Sequence, residues 1–146
     1  MPYSISKIQK ILAVKTAILA EPQAVVEQLL IDSRQIIEPQ TSLFFAMRGL
    51  RNDGHDFIEP LLERGVRSFV VERFFEKRAA ELAVRWPSAN FLFVEKSLDS
   101  LQKLAAFHRK QVEIPVVGLT GSNGKTVVKE FIKFKGQSFF IKVGLK

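Results

Sequence analysis

A chain of 146 residues, 47% hydrophobic and 25% charged, has the balance of a soluble protein and room for one ordinary domain, hardly for two. It contains no cysteine, which excludes disulfides and thiolate metal sites, and its two histidines are far apart, which disfavours structural zinc. The net charge of +7 invites a nucleic-acid partner, yet six lysines against one glutamate after residue 120 carry +5 of it. The remainder is nearly balanced, so no nucleic-acid partner is expected. No apolar run approaches the ~18–20 residues that span a bilayer, so no membrane insertion is expected either. Lys7 and Lys10 interrupt the apolar positions of the N-terminus, which lacks a signal-peptide layout. The expectation is a cytoplasmic protein.

In chain order, Ile5, Ile8, Ile11 and Leu12 fall at helical spacing and predict a helix from about Ser6. Branched residues over 24–32 predict a strand, and Pro39 with its polar neighbours predicts a turn. A short apolar run over 42–47 is a second strand, followed by a turn with Asn52-Asp53-Gly54 at its centre. Asp56 followed by Glu59 matches a capping box, so a helix is expected from near Phe57 to Gly65, with Pro60 delaying its start. Strands follow at 67–72 and 90–95, with a helix over 74–86 between them that Pro87 ends. Ser97 is read as the cap of a helix reaching about Gln111, and 114–120 is the last clear strand. This alternation predicts an α/β fold: a layered α/β/α N-terminal domain with a mostly parallel or mixed sheet. Pro115 marks the best boundary, giving residues 1–112 as one domain and 113–146 as the start of another.

The second segment carries a phosphate-binding pattern. In Gly121, Ser122, Asn123, Gly124, Lys125 and Thr126, the glycines allow backbone angles and close approaches that a Cβ would forbid. Successive N–H groups then converge on one anion at a helix start. Lys125 suits the β- and γ-phosphates of ATP, and the Thr126 hydroxyl suits Mg²⁺. The strict G-x-x-x-x-G-K-[ST] pattern wants glycine at position 119, where this chain has Leu119, and Gly118 sits one residue early. Coincidence within an ordinary strand–turn–helix is the bland alternative.

TGSNGKT followed by VVKE resembles the ATP loop of the Mur ligases, whose usual form is T-G-[ST]-N-G-K-[ST]. Upstream, IDSRQIIEPQTSLFFAMRGLRNDGHDFI resembles the UDP-sugar-binding domain of the same family. The likeness covers about residues 25 to 130, with three separated motifs in the expected order. Within the family, the S-N-G-K-T-x-x-K-E wording favours members that add D-Ala-D-Ala over those that add the preceding diamino acid. The resemblance implies a peptidoglycan-precursor ligase in which ATP and Mg²⁺ activate the carboxylate of UDP-N-acetylmuramoyl-tripeptide as an acyl phosphate. The amine of D-Ala-D-Ala then attacks to form an amide. It also implies that Ser33 and Arg34 lie near the uridine diphosphate, and that Arg48, Arg51 and Asn52 line the same nucleotide.

Each of these residues has a plainer reading. Asp32 and Ser33 close an Asx-type turn, Arg48 and Arg51 are solvated, and His55 and Asp56 organise a helix start. His108 shares a helical stripe with Leu101, Leu104 and Ala105 and is expected to be half-buried and structural. Trp86 is expected to pack at a helix end, and most of the thirteen phenylalanines to form core.

From residue 131 the sequence departs from the family, because Gly136 interrupts the helix and a lysine-spaced apolar run follows. The expectation is an N-terminal part of a ligase, with the first strand and phosphate loop of a truncated ATPase domain and no activity alone. The apolar tail packs on the first domain, associates with another chain, or stays disordered. A small basic P-loop or anion-binding module without ligase activity is the alternative.

Overall fold

Residues 42–45, 68–72 and 90–94 are mostly apolar and buried at nearly every position, the pattern of strands covered on both faces. A computed structural model of the protein describes residues 2–50, 52–111, 116–119 and 140–143, and these three segments are the inner strands of its main sheet. The chain divides into two units, Met1–His108 and Arg109–Lys146.

The first unit runs β1 (Tyr3–Ser4), α1 (Ile5–Leu12), β2 (Ala17–Leu19), β3 (Val25–Val26), β4 (Gln28–Leu30), β5 (Ser42–Phe45) and α2 (Ile58–Glu63). It continues with β6 (Ser68–Glu72), α3 (Glu76–Arg85), β7 (Asn90–Val94) and all but the last two residues of α4 (Ser97–Lys110). The main sheet has the order β2-β7-β6-β5-β4. The four strands from β4 to β7 are parallel, and β2 closes one edge antiparallel to β7. A separate antiparallel pair joins β1 to β3.

Period-two alternation sorts the sheet residues between two cores. Phe44, Phe69, Val71, Phe91 and Phe93 face Ile58, Leu61 and Leu62 of α2 and Ala79 and Leu82 of α3. Leu43, Phe45, Val70, Leu92 and Val94 face Ile5, Ile8 and Leu12 of α1 and Leu104 of α4. The layered, mostly parallel α/β fold read from the sequence is therefore present. Phe69 stacks on Phe91 at 5.3 Å between ring centres and meets Phe44 edge-on at 6.4 Å, so aromatic packing ties three neighbouring strands.

Four local expectations are corrected. The strand over 24–32 breaks at Glu27, whose N–H donates to the Thr41 carbonyl (2.9 Å), and its halves enter different sheets. Strand β2 had no counterpart in the sequence reading. The helix before β6 is headed by Asp53, whose carboxylate accepts the His55 N–H (3.0 Å) over a 3-10 turn at Gly54–Phe57, and not by an Asp56 capping box. Ser97 begins α4, but its buried hydroxyl has no partner among the described residues, and its N–H faces the Glu72 carboxylate at 3.4 Å.

In the second unit, β8 (Val116–Leu119) pairs in parallel with β9 (Phe140–Val143), Val116 opposite Phe140 and Leu119 opposite Val143. The strand expected over 114–120 thus has its centre in β8, and part of the apolar tail pairs with it.

Helix α1 ends on Ala13, which holds a left-handed conformation at φ 57° and ψ 39°. The N–H groups of Ala13 and Val14 turn back to Lys10 and Gln9, a closure for which glycine is the usual residue. Ala13 is exposed, so its methyl group contributes no core contact. Replacing it with glycine removes the steric cost, and Ala13→Gly is expected to stabilise the protein by about 0.5–1 kcal/mol in urea unfolding. A loss of stability would contradict the cap geometry.

Candidate functional site

Because β4 to β7 are parallel, all their C-terminal ends emerge at one edge of the sheet, where ligands of open α/β sheets bind. The segments leaving β4 and β5, which are neighbours in the sheet, hold the residues that the sequence singled out.

After β4, Asp32 turns the chain. Its carboxylate accepts the Arg34 backbone N–H at 3.0 Å and takes the Arg34 guanidinium through Nε (2.9 Å) and Nη2 (2.7 Å). The hydrogen bonds from the Arg34 side chain, then that from its backbone N–H, hold the Asp32 carboxyl down at about 2, against an ordinary 3.8. Ser33 is half-buried, and its carbonyl accepts a 2.8 Å bond from Arg64 Nη1 at the end of α2. The Asx-type turn is thus present, and it holds an exposed arginine in place.

After β5, the chain makes a narrow loop. Arg48 bridges to Asp53, the Gly49 N–H donates to the Asn52 carbonyl (2.9 Å), and the Gly54 N–H donates to the Met47 carbonyl (2.8 Å). Arg48 lies with Nε 3.5 Å from Asp53 Oδ2 and its guanidinium carbon 5.1 Å from the centre of the Phe74 ring. Its Nη1 and Nη2 bond to none of the described residues. Asn52 is exposed, and its carbonyl closes the loop. Arg51 lies outside the described residues, as do Gly121, Ser122, Asn123, Gly124, Lys125 and Thr126.

His55 underlies this loop. Its ring is buried at 4% exposure and lies against Phe74 (4.7 Å) and Phe75 (5.2 Å). The Glu72 N–H donates to Nε2 (3.0 Å), which requires the hydrogen on Nδ1, and Nδ1 donates to Asp53 Oδ1 (2.6 Å). Burial raises the Asp53 carboxyl, but the two His55 donors and Arg48 outweigh it and leave it below the ordinary carboxylate range. The plainer reading of His55 as an organiser of the helix start therefore fits, through Asp53 rather than Asp56. Asp53, Arg64 and Phe74 were not singled out in the sequence. Asp53 had a signal in the D-G-H spacing, whereas nothing local marks Arg64 or Phe74.

The structure thus brings Ser33 and Arg34 to the same edge as Arg48 and Asn52, although no hydrogen bond joins the two loops among the described residues. Elsewhere, His108 is half-buried on α4 and Trp86 caps α3 under Arg85, both in structural settings. Among the described residues no group of three acidic or histidine side chains is placed to hold a metal, and no helix is long and apolar enough to cross a membrane.

The family described as Mur ligase family, catalytic domain, matches residues 25–109. The chain is 34% identical over 117 residues to UDP-N-acetylmuramoyl-tripeptide--D-alanyl-D-alanine ligase of Bacillus subtilis (strain 168), covering 78% of this chain and 24% of that protein. It is 31% identical over 122 residues to UDP-N-acetylmuramoyl-L-alanyl-D-glutamate--2,6-diaminopimelate ligase of Clostridium tetani (strain Massachusetts / E88), covering 82% of this chain and 24% of that protein. Among solved structures, UDP-N-acetylmuramoylalanyl-D-glutamyl-2,6-diaminopimelate--D-alanyl-D-alanyl ligase from Acinetobacter baumannii superposes with a TM-score of 0.71 at 26% identity. That match covers 91% of this chain and 27% of the other. The chain therefore spans about a quarter of the length of these proteins.

Two outcomes test the loop geometry. A Cβ on Gly54 would lie 2.6 Å from the Met47 nitrogen and 2.8 Å from its oxygen, both backbone atoms that cannot rotate away. Gly54→Ala is expected to cost about 2–3 kcal/mol in urea unfolding, and a neutral effect would refute the closure. The folded Asp32 value lies below the unfolded one, so the stabilisation by its pair with Arg34 is complete above the ordinary 3.8 and is lost as pH falls towards 2. Carboxyl NMR titration should find Asp32 at about 2 in the native chain and higher in Arg34→Gln, though still below the ordinary 3.8 because the backbone N–H of residue 34 remains. Equal values in the two proteins would dismiss the pair.

Proposed function

This chain belongs to the Mur ligase family, and on that premise we propose that residues 1–112 recognise the nucleotide of a UDP-linked peptidoglycan precursor. The observation that carries this reading is that the Asp32–Arg34 turn and the Arg48–Asp53 loop both leave the C-terminal edge of adjacent parallel strands. An edge of this kind suits a diphosphate, because arginine presents planar, paired donors to phosphate oxygens. Ser33, Arg34, Arg48, Arg51 and Asn52 are the proposed contacts, and Phe74 offers an apolar surface beside them.

The proposed parent reaction joins D-Ala-D-Ala to UDP-N-acetylmuramoyl-tripeptide in the cytoplasm. The names of the relatives from Bacillus subtilis and Acinetobacter baumannii support that substrate pair. A carboxylate acylates an amine poorly until one of its oxygens becomes a phosphate leaving group, which ATP with Mg²⁺ would supply. Residues 113–146 are then the beginning of the ATP-binding domain. Gly121, Ser122, Asn123, Gly124 and Lys125 would cradle the phosphates through backbone N–H groups and one ammonium, and the Thr126 hydroxyl would ligate the metal. The assignment of those six residues rests on their sequence pattern and on family membership. The 146 residues by themselves, about a quarter of the relatives' length, are proposed to bind the UDP compound without ligating it.

Calorimetric titration tests this. UDP-N-acetylmuramoyl-tripeptide is expected to bind saturably, Arg48→Ala to weaken it by about tenfold or more, and ATP–Mg²⁺ to give little heat. Absence of binding by the UDP compound would refute the domain assignment. Turnover of ATP with both substrates would refute the proposed inactivity.

A further inference from the structure

His55 does not reach solvent, so it cannot itself meet a ligand, yet its bonds run towards a residue that can. Four groups form a closed circuit. His55 Nδ1 donates to Asp53 Oδ1 at 2.6 Å, and Asp53 Oδ2 faces Arg48 Nε at 3.5 Å. Arg48 lies over Phe74, and the Phe74 ring lies against the His55 imidazole at 4.7 Å. The circuit is fastened to the end of β6 by the Glu72 N–H, which donates to His55 Nε2. Its effect on Arg48 is directional. The Nε edge of the guanidinium is turned inwards to Asp53, and one face is taken by Phe74. The terminal nitrogens, which bond to none of the described residues, are left to meet a ligand.

We propose that His55 is a positioning residue for diphosphate recognition: through Asp53 and Phe74 it sets the direction in which Arg48 presents its Nη1 and Nη2 donors. The inference rests on the UDP reading of this edge. Imidazole suits the position because one ring nitrogen donates while the other accepts, in fixed directions. Neither amide side chain reproduces both bonds. Asparagine places its amide near Nδ1 and keeps the donor to Asp53, whereas glutamine reaches the Nε2 position and keeps the acceptor for Glu72. A residue that only held the fold together would show its effect in stability and not in affinity.

The experiment compares uridine diphosphate binding and thermal midpoint in the full chain, His55→Gln and His55→Asn. His55→Gln, which loses the Asp53 bond, is expected to weaken uridine diphosphate by about tenfold, the size of one hydrogen bond to a charged group. His55→Asn should stay within about twofold of the native chain, even where its midpoint falls further. In an Arg48→Ala background the His55→Gln loss of affinity should vanish while its loss of stability remains. Equal affinities in the native chain and both histidine variants would overturn the His55 inference alone. A native chain that does not bind uridine diphosphate would overturn the diphosphate reading and the purpose of the circuit with it. If neither histidine variant folds, Asp53→Asn decides. It leaves His55 in place, can still accept the His55 N–H and lacks the charge on Arg48, so it should lose about tenfold in affinity, and unchanged affinity overturns the inference.

Discussion

The first unit depends on one constraint, a parallel sheet whose inner strands are buried on both faces. Every residue of β5 and β7 is buried, so a shift of register by one residue would exchange the phenylalanine-rich face under α2 and α3 for the more aliphatic face under α1 and α4. The two faces differ in side-chain volume, and the pairing is therefore strongly specified. Parallel direction follows from the helical crossovers, and from that direction comes the single edge at which the strands end. The placement of Ser33 and the Arg48 loop at one edge is a result of packing before it is a result of any ligand.

The two ends of the sheet handle polarity differently. At the N-terminal ends of β6 and β7, Ser68 and Asn90 are buried, and Asn90 Oδ1 accepts the Glu21 N–H at 2.9 Å while its amide faces Ser68 Oγ at 3.4 Å. Those groups are neutral and satisfied locally, and they close that end. At the C-terminal ends several polar groups are charged and exposed. Ser97 and His55 are buried there, and the two bonded ring nitrogens of His55 tie the β5 loop to β6. An unsatisfied imidazole there would cost about 1–3 kcal/mol. A fully satisfied one gives the loop a rigid floor.

The inner elements of the fold were legible in the sequence because their signals are local: apolar runs of strand length, helical spacing on α1, and Pro87 beyond α3. The edge elements were not. Ala17–Leu19 is too short to show a period, and it is a strand because β7 offers it an unpaired edge. Val25–Val26 and Gln28–Leu30 read as one strand because nothing in the composition marks Glu27, whose N–H turns to Thr41 through tertiary contact. The candidate residues were found by motif, but their partners were not. Arg64 reaches Ser33 across 31 residues, and Glu72 reaches His55 across 17. Distances of that kind have no sequence period. Asp53 and Asp56 were both available as caps, and the narrow closure from Met47 to Gly54 decides for Asp53.

The electrostatics of the edge bear on what it can select. Three of its arginines each face a carboxylate, Arg34 with Asp32, Arg48 with Asp53 and Arg73 with Glu95. Exposed pairs of this kind are worth at most about 1 kcal/mol, so they add little to stability. They do offset part of the field that three unpaired arginines would project. What remains is direction. Arg34 commits Nε and one N–H of Nη2 to Asp32, which leaves the second Nη2 N–H and both Nη1 N–H groups for an incoming phosphate. Arg48 is held by a looser contact and an aromatic face, and both terminal nitrogens remain available. The two arginines differ in how firmly they are held: Arg34 is clamped by two short bonds and Arg48 by one longer contact, and each keeps N–H donors on both terminal nitrogens with which to meet two phosphate oxygens.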